Sequence, residues 1–199
     1  MNFLAHFYLT RGLEEITAGN FIADFVRSSQ QHIFSAEINK GIEIHRSIDR
    51  FTDEHEIVRQ SKQRLYEKYH KYATVIVDVY YDHFLAVNWE NYSDVPLAQF
   101  SYETYSLLRK QHHVFPSEAQ RLFHFMSAYD WLYSYQSMEG IQRALHGLSR
   151  RARFNSGMEN AIADLKKYYS EFEKEFMLFF PQLQEHINSF LLPPEKSYN

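Results

Sequence analysis

The sequence ATVIVDVYYDHFL, residues 73–85, is an apolar run that contains two aspartates and a histidine. Its β-branched first half, ATVIVDV, is typical of a strand. The run continues to residue 88 without a turn signal, however, and strands longer than about ten residues are uncommon. We therefore predict a buried helix over residues 73–88, and a strand is the alternative.

Asp78 and Asp82 lie four residues apart in this run, and His83 follows directly. Four residues turn a helix by roughly 400°, so the two carboxylates project from nearly the same face. His83 projects about 100° away and reaches the same point only from the edge of a pocket. A carboxylate in apolar surroundings must be hydrogen-bonded, paired or bound to a cation. Two acids and an imidazole indicate an ion with oxygen and nitrogen ligands.

Helical periodicity also dominates the rest of the chain. One apolar stripe over residues 36–52 has the spacing four, three, four, three, and its members are Ile38, Ile42, His45, Asp49 and Thr52. The same spacing from Met158 to Phe179 predicts a long amphipathic helix that is interrupted or ends near Pro181. Its aromatic stripe is predicted to be core. Further helices are predicted over 17–26 with Thr17 as N-cap, and over 54–72, 97–112, 116–135 and 138–148.

The composition fits a single globular domain. The chain has 199 residues, of which 45% are hydrophobic, and only 6 Gly and 5 Pro interrupt it, which excludes the disordered and fibrous classes. We predict an all-α, single-domain helical bundle over residues 1–192 and a flexible tail over 193–199. Cysteine is absent, so disulfides, thiol catalysis and cysteine-based zinc sites are impossible.

Charge and hydropathy restrict the partners. The formal net charge of −4 argues against general affinity for nucleic acid or for anionic membranes. No apolar run approaches the roughly 20 residues of a membrane span, and the first residues lack the basic start of a signal peptide. We therefore expect the protein in the cytoplasm.

Charged and imidazole side chains are concentrated inside apolar helical segments of the N-terminal half. The acids are Asp24, Asp49, Asp78 and Asp82, and the imidazoles are His6, His45 and His83. A lone histidine on an apolar stripe is more often a hydrogen-bonded core residue, which is the interpretation of His6 taken alone. His45 and Asp49 share one helical face, so two such pairs converge on one ion if their helices pack side by side.

A structural alternative is a buried network in which Asp78 or Asp82 pairs with Arg46 or Arg27. Because a buried ion pair seldom stabilises a fold more than apolar residues would, several buried charges favour a functional site over a structural network. Ligands without sulfur favour Mg²⁺ or Mn²⁺ over Fe²⁺ or Zn²⁺. The chain has no Gly-rich phosphate loop, no G-x-S-x-G and no H-E-x-x-H motif that would indicate other chemistry.

A cluster of arginines lies further along the chain. It consists of Arg143, Arg150, Arg151 and Arg153. Such a cluster is either a solvated helix end and loop or a docking patch for an acidic partner.

Four blocks of sequence, in order, resemble the acyl carrier protein phosphodiesterase family, which is also called acyl carrier protein hydrolase. They are MNFLAHFYL (1–9), GNFIADFVR (19–27), HRSIDRFTD (45–53) and DVYYDHFL (78–85). WLYSY (131–135) and GLSRR (147–151) continue the resemblance. It implies an all-helical fold distantly related to the HD-domain metal phosphohydrolases.

The resemblance also implies a reaction. It is the Mn²⁺- or Mg²⁺-dependent hydrolysis of the phosphodiester that joins 4′-phosphopantetheine to a serine of holo acyl carrier protein. The site residues implied are Asp24, His45, Asp49, Asp78, Asp82 and His83, and we expect them to hold the metal. Arg46 or Arg27 would offset charge on the phosphoryl oxygens, and His83 or His45 would deliver a proton to the leaving serine unless it is a ligand.

In that family's setting the carrier protein is strongly acidic, so the arginine cluster over residues 143–153 would dock it. Two alternatives stay open. The protein is an HD-like phosphohydrolase acting on a nucleotide or another small phosphoester, or it is a helical module that binds the carrier protein without turnover.

Overall fold

The computed structural model describes residues 1–191, which form an all-α fold without strands in that range. Its helices are α1 (Phe3–Leu9), α2 (Glu14–Ile22), α3 (Ala36–Glu54), α4 (Glu56–Tyr69), α5 (Ala73–Val87), α6 (Leu97–Lys110), α7 (Ser117–Ala128), α8 (Trp131–Ser134), α9 (Met138–Arg151), α10 (Ala161–Lys167) and α11 (Tyr169–Leu191). The predicted fold class is therefore confirmed, and α5 is a helix rather than a strand. The predicted tail lies outside the described residues.

Helix α5 lies at the centre of the core and packs against α1, α4, α9 and α11. Its aromatic rings meet those of α11. The centroids of Tyr80 and Phe172 are 5.1 Å apart, and those of Tyr81 and Phe176 are 5.7 Å apart. All four side chains are buried, and full burial of one such side chain stabilises the fold by roughly 1.5–3 kcal/mol. The aromatic stripe of α11 is thus core, as predicted.

Helices α2 and α3 cross in backbone contact. A Cβ atom added at Gly19 would lie 2.0 Å from the carbonyl oxygen of Ile38, and one added at Gly41 would lie 2.1 Å from that of Ile16. Only glycine permits this approach. The crossing brings the second half of α2 against the first half of α3, next to Asn20 and His45 of the candidate site.

The start of α2 differs from the prediction. The helix begins at Glu14, so Thr17 lies inside it and is not the N-cap. A turn with Gly12 at φ +78° redirects the chain before the helix, and a left-handed φ of this kind favours glycine. The hydroxyl of Thr17 instead donates to the carbonyl of Thr10 at 2.8 Å and ties α2 to the end of α1.

The predicted helix over 116–135 is wrong because the chain breaks between α7 and α8. Asp130 adopts a left-handed φ of +43°, and its carboxylate accepts hydrogen bonds from Ser101 at 2.5 Å and from the backbone N–H of Tyr133 at 3.4 Å. These contacts cap α8 and set its direction. Helix α9 also runs three residues beyond the predicted end, to Arg151, so Arg150 and Arg151 are helical.

The long C-terminal helix is also divided differently. Its break falls at Tyr168, between α10 and α11, and not at Pro181, which lies inside α11. Pro181 is exposed, whereas Phe180 and Leu183 on either side of it are fully buried. Their packing outweighs the roughly 3 kcal/mol by which a proline disfavours a helix interior.

Candidate active site

Three side chains from two helices converge at one point. His6 lies on α1, and His45 and Asp49 lie one turn apart on α3; their ligand-capable atoms are all within 4.8 Å of one another. The carboxylate of Asp49 lies 3.2 Å from Nε2 of His6 and 3.1 Å from Nε2 of His45. The two imidazole rings are tilted against each other, with centroids 4.3 Å apart.

Asn20 on α2 orients both imidazoles. Its Oδ1 lies 2.9 Å from Nδ1 of His6 and 3.0 Å from Nδ1 of His45, while its Nδ2 donates to the backbone carbonyl of His6. Because an amide oxygen only accepts hydrogen bonds, both Nδ1 atoms must carry a proton. Both Nε2 atoms therefore face the carboxylates, which is the arrangement of metal-binding histidines whose other nitrogen is hydrogen-bonded.

Asp24 contributes a second carboxylate from the 3₁₀ turn that follows α2. Its Oδ1 lies 3.3 Å from Nε2 of His45. The side chain of Asp24 is 71% exposed, whereas that of His45 is 11% exposed. The site thus has buried imidazoles on one side and a carboxylate open to solvent on the side of Asp24.

The electrostatics follow from this clustering. Burial disfavours the charged form of His45, but its hydrogen bonds with Asp24 and Asp49 outweigh burial and raise its pKa to about 9. Burial also disfavours the charged form of Asp49, yet hydrogen bonds from His45 and His6 hold the pKa of Asp49 far below its usual range. The hydrogen bond from His45 lowers the pKa of Asp24. Burial, together with the neighbouring His45, lowers the pKa of His6, and the contact with Asp49 acts in the opposite direction.

These groups open into a cavity of about 260 Å³. Two further carboxylates, from Asp53 and Asp78, line it. Asp78 accepts a hydrogen bond from the amino group of Met1 at 3.1 Å. The cavity therefore combines four carboxylates and two imidazoles, and such a concentration of negative charge suits a cation.

Asp82 and His83 lie apart from this cluster. The buried carboxylate of Asp82 accepts the backbone N–H groups of Leu4 at 2.7 Å and Ala5 at 3.3 Å, so it caps the first turn of α1. Burial raises the pKa of Asp82 to about 7. Asp78 and Asp82 do share a face of α5, but they are about 6 Å apart along its axis. That distance is enough for one to line the cavity and the other to lie under α1.

His83 has a separate set of partners. Its Nδ1 lies 2.7 Å from the backbone carbonyl of Tyr135, and its Nε2 lies 3.1 Å from the hydroxyl of Tyr169. Burial lowers the pKa of His83. The structure thus places this imidazole in the core between α5, α8 and α11, and it is not among the residues that line the cavity.

The predicted arginines divide into two groups. Arg46 is half-buried and Arg27 is exposed, and neither lines the cavity or pairs with Asp78 or Asp82 within residues 1–191. The alternative of a buried arginine network is therefore not what the structure shows. The four arginines over residues 143–153 form the second group.

Three of these arginines line a neighbouring depression of about 560 Å³, here called the arginine groove. Its residues are Asn2, Phe3, Leu122, Phe125, Tyr129, Trp131, Ser134, Tyr135, Gly140, Arg143, Ala144, Gly147, Leu148, Arg150 and Arg151. The groove shares Asn2, Phe3 and Leu148 with the cavity of the cluster. Arg153 lies outside it, with its guanidinium 5.4 Å from the ring centroid of Phe154.

Comparison with known proteins identifies the family. The model of a family described as acyl carrier protein phosphodiesterase matches residues 1–183. A protein of that name from Photorhabdus laumondii is 32% identical over 188 residues, which covers 93% of this chain and 94% of the relative. Relatives of the same name from Escherichia coli and Klebsiella pneumoniae are 34% and 35% identical, over 93% and 92% of this chain and 96% and 95% of their own lengths.

The chain belongs to the acyl carrier protein phosphodiesterase family. The resemblance seen in the sequence blocks is thereby confirmed, and the family's activity is that of a phosphoric diester hydrolase. No solved structure matches the fold. Among the described helices, none combines the length and the apolar character needed to cross a membrane.

In this member of the acyl carrier protein phosphodiesterase family, sequence reasoning missed Asn20 and underrated His6. Asn20 is a buried amide between Gly19 and Phe21, inside one of the blocks that carry the family resemblance. A polar side chain in an apolar helical segment was the available signal. His6 was interpreted as a core residue because its partners lie on α2 and α3, and no spacing within α1 indicates them.

Proposed function

We propose that this protein hydrolyses the phosphodiester between 4′-phosphopantetheine and the serine of holo acyl carrier protein, with Mn²⁺ or Mg²⁺ held at the candidate active site. The products are apo acyl carrier protein and free 4′-phosphopantetheine. The observation that carries the proposal is the convergence of His6, His45 and Asp49 in a cavity that opens at Asp24. The names of the relatives support the substrate.

The donor set fits a divalent transition ion. Nε2 of His6, Nε2 of His45 and the carboxylate of Asp49 would hold it, and Asp24 is close enough to His45 to complete the set. Mg²⁺ prefers oxygen ligands alone, so two imidazole nitrogens favour Mn²⁺ of the two ions. The lowered pKa of Asp49 supports this assignment, because the carboxylate is already ionised at neutral pH.

A divalent cation bound here would supply a hydroxide from bound water near neutral pH and would neutralise charge on the phosphate. The remaining roles belong to side chains of the protein. Asp24, on the exposed side of the cavity, would hold the ion toward the incoming phosphodiester. Neither Arg46 nor Arg27 lines the cavity, so offsetting the charge on the phosphate oxygens would be left to the cation.

His45 would be a ligand through Nε2, and its Nδ1 faces Asn20, so it is not free to protonate the leaving serine oxygen. His83 is enclosed by Tyr135 and Tyr169, so the leaving oxygen would take its proton from solvent.

The arginine groove would receive the carrier protein, which the family resemblance implies to be acidic. Arg143, Arg150 and Arg151 present positive charge next to the cavity, and complementary charge accelerates and orients association. The distant relation to the HD-domain phosphohydrolases is part of the same proposal. It is supported by an all-helical fold that carries an imidazole and carboxylate cluster.

The test uses holo acyl carrier protein and measures release of 4′-phosphopantetheine with Mn²⁺ present. Asp49→Ala and Asp24→Ala should each lower the rate by at least about 100-fold while the helical circular dichroism signal persists. Asp94→Ala is the matched control, because Asp94 is exposed and does not line the cavity. Full activity of Asp49→Ala would remove that residue from the site.

A comparison of two classes of substrate distinguishes the proposed function from that of a nucleotide phosphohydrolase. Holo carrier protein and nucleoside phosphodiesters are compared under the same conditions, at low and at high salt. Hydrolysis of the carrier protein alone, with a rate that falls as salt rises, is expected because docking by arginines is screened. Equal turnover of a nucleotide would contradict the proposed substrate.

A further inference from the structure

The cavity of the cluster has no arginine or lysine among the described residues that line it. The amino group of Met1 lies in the lining, but it is paired with Asp78. A phosphodiester that enters the cavity brings negative charge into surroundings that already hold four carboxylates. Besides the divalent ion, a positive charge for that phosphate must come from a side chain directly behind the lining.

Lys62 on α4 is in that position. Its Nζ lies 2.7 Å from Oδ1 of Asp53, a residue of α3 that lines the cavity. Asp53 follows Asp49 by one helical turn, about 6 Å along the axis of α3. The ammonium is therefore bonded to the carboxylate that comes next, along the same helix, after a proposed metal ligand.

The side chain of Lys62 is more enclosed than those of the other lysines that form ion pairs within residues 1–191. It is 16% exposed, whereas Lys68 is 54% exposed and Lys110 is 68% exposed. A lysine whose alkyl stem is already packed has less rotamer freedom to lose when its ammonium meets a ligand. Lys62 is thus better preorganised to bind an anion than a lysine on the open surface.

The Lys62 ammonium also has unused hydrogen-bonding capacity. An ammonium carries three N–H donors, and among the hydrogen bonds in the described part of the chain Lys62 donates only to Asp53. The Asp53 side chain is 59% exposed, so the pair is open to an incoming molecule. Asp53 therefore orients the ammonium and leaves donors for a further oxygen acceptor.

We propose that Lys62 is a phosphate-binding residue of the site, whose ammonium donates to a non-bridging oxygen of the phosphodiester while Asp53 holds it in place. This inference rests on the proposed function, which fixes the phosphate at the cluster. Lys62 transfers no proton; it adds its positive charge to that of the divalent ion. The alternative role of the Asp53–Lys62 pair is only to tie α3 to α4, and two experiments distinguish the two roles.

The first experiment measures binding without hydrolysis of a protein substrate. Dimethyl phosphate, an anionic diester, is titrated into protein loaded with Mn²⁺, and the broadening of its phosphorus NMR resonance by the paramagnetic ion is followed. Lys62→Gln should weaken saturable binding by about tenfold or more, because a hydrogen bond between charged groups is lost, and Lys62→Arg should retain most of it. Lys68→Gln is the matched control, since Lys68 also lies on α4 but pairs with Asp164, which does not line the cavity.

The same variants are titrated with Mn²⁺ alone. Lys62 is not a ligand, so Lys62→Gln should bind the ion at least as tightly as the native chain. Weaker Mn²⁺ binding in Lys62→Gln would show that the lysine acts through the structure of the site and would overturn the proposal. Equal affinities of the native chain and Lys62→Gln for dimethyl phosphate, or no saturable binding by the native chain, would also overturn it.

The second experiment measures hydrolysis of holo carrier protein with Mn²⁺. Lys62→Gln should lower kcat/KM by about 10- to 100-fold, and Lys62→Arg should stay within about fivefold of the native chain. Asp53→Asn should lose less than Lys62→Gln, because the ammonium remains; equal losses would reduce Lys62 to a partner of Asp53. Absence of hydrolysis by the native chain would contradict the proposed function, and the dimethyl phosphate titration would still decide whether Lys62 binds a phosphodiester.

Discussion

At the scale of single residues, Asn20 determines how the two imidazoles face the carboxylates. Its Oδ1 accepts from Nδ1 of both His6 and His45, so one amide fixes two tautomers and two ring orientations. Partners of this kind outside the ligand set commonly change metal affinity by 10- to 100-fold. The amide therefore belongs to the site although it would not touch the ion.

Replacing this amide should weaken metal binding while the ligands remain. In Asn20→Leu, which is similar in size, both Nδ1 atoms lose their acceptor, and we expect Mn²⁺ affinity to fall by about 10- to 100-fold. Isothermal titration of Mn²⁺ measures the change. Asn88→Leu is the control, because the Asn88 amide bonds the carbonyl of Phe84 and the carboxylate of Glu173, away from the cavity. Equal affinities of the native chain and Asn20→Leu would contradict the role of Asn20.

Metal binding should also depend on pH through His45. The pKa of His45 is raised to about 9, so its Nε2 is protonated at neutral pH and must lose that proton to bind an ion. Asp49, with its lowered pKa, is already ionised and has no proton to lose on binding the ion. Affinity for Mn²⁺ should therefore rise by up to about tenfold per pH unit between pH 6.5 and 8.5. Constant affinity over this range would exclude His45 as a ligand.

At the scale of the helices, periodicity identifies the elements but not how they meet. The stripe of α3 and the apolar run of α5 predict both helices within two residues of their observed ends. Sequence reasoning also placed Asp24, His45 and Asp49 together. It did not show that Asp82 and His83 lie outside the site, because the face of a helix on which a polar side chain lies does not specify which other helix that side chain meets. It also missed the breaks at Asp130 and Tyr168, where the local backbone geometry ends one helix and begins the next.

The close crossing of α2 and α3 depends on glycine. A larger residue at Gly19 should therefore disturb both the fold and the site. Gly19→Ala places a methyl group 2.0 Å from the carbonyl of Ile38, so the helices must separate. We expect a loss of about 1–3 kcal/mol in the free energy of unfolding, together with weaker Mn²⁺ binding, because Asn20 moves away from His45.

The control for this change is Gly147→Ala, the same substitution at a helical glycine with open space around it. It should stabilise the fold by about 0.5–1 kcal/mol, since alanine favours the helix. Urea unfolding measures both variants. Stabilisation by Gly19→Ala to the same degree would show that the helices do not cross in backbone contact.

At the scale of the whole molecule, the core and the site come from different parts of the chain. Helices α5 and α11 supply the aromatic core, whereas α1, α3 and the turn after α2 supply the candidate ligands, and Asp82 links the two parts by capping α1 from α5. The result is a cavity in which Asp24, Asp49, Asp53 and Asp78 gather around buried imidazoles. Asp53 pairs with Lys62, Asp78 with the amino group of Met1, and Asp49 with the imidazoles. A cation would bind this cluster only in the folded state, because the unfolded chain does not bring its ligands together.

Thermal unfolding should therefore report occupancy of the site. An ion that binds the folded state alone adds about 2.7 kcal/mol at a concentration 100 times its Kd, which for a domain of this size raises Tm by about 5–10 °C. We expect this rise with Mn²⁺, its reversal by a chelator and its retention in Asp94→Ala. In His45→Ala the rise should disappear, because a ligand is lost.

Screening and ligation make different predictions for this experiment. If Mn²⁺ acted by screening the four carboxylates, then sodium chloride at an ionic strength with a Debye length near 3 Å, about 1 M, would produce the same rise in Tm, and His45→Ala would keep it. If Mn²⁺ is held by His6, His45 and Asp49, salt has little effect, and removing one imidazole ligand is enough to abolish the rise. A rise in Tm that survives in His45→Ala would therefore contradict a metal site at this cluster, whatever the activity of the enzyme.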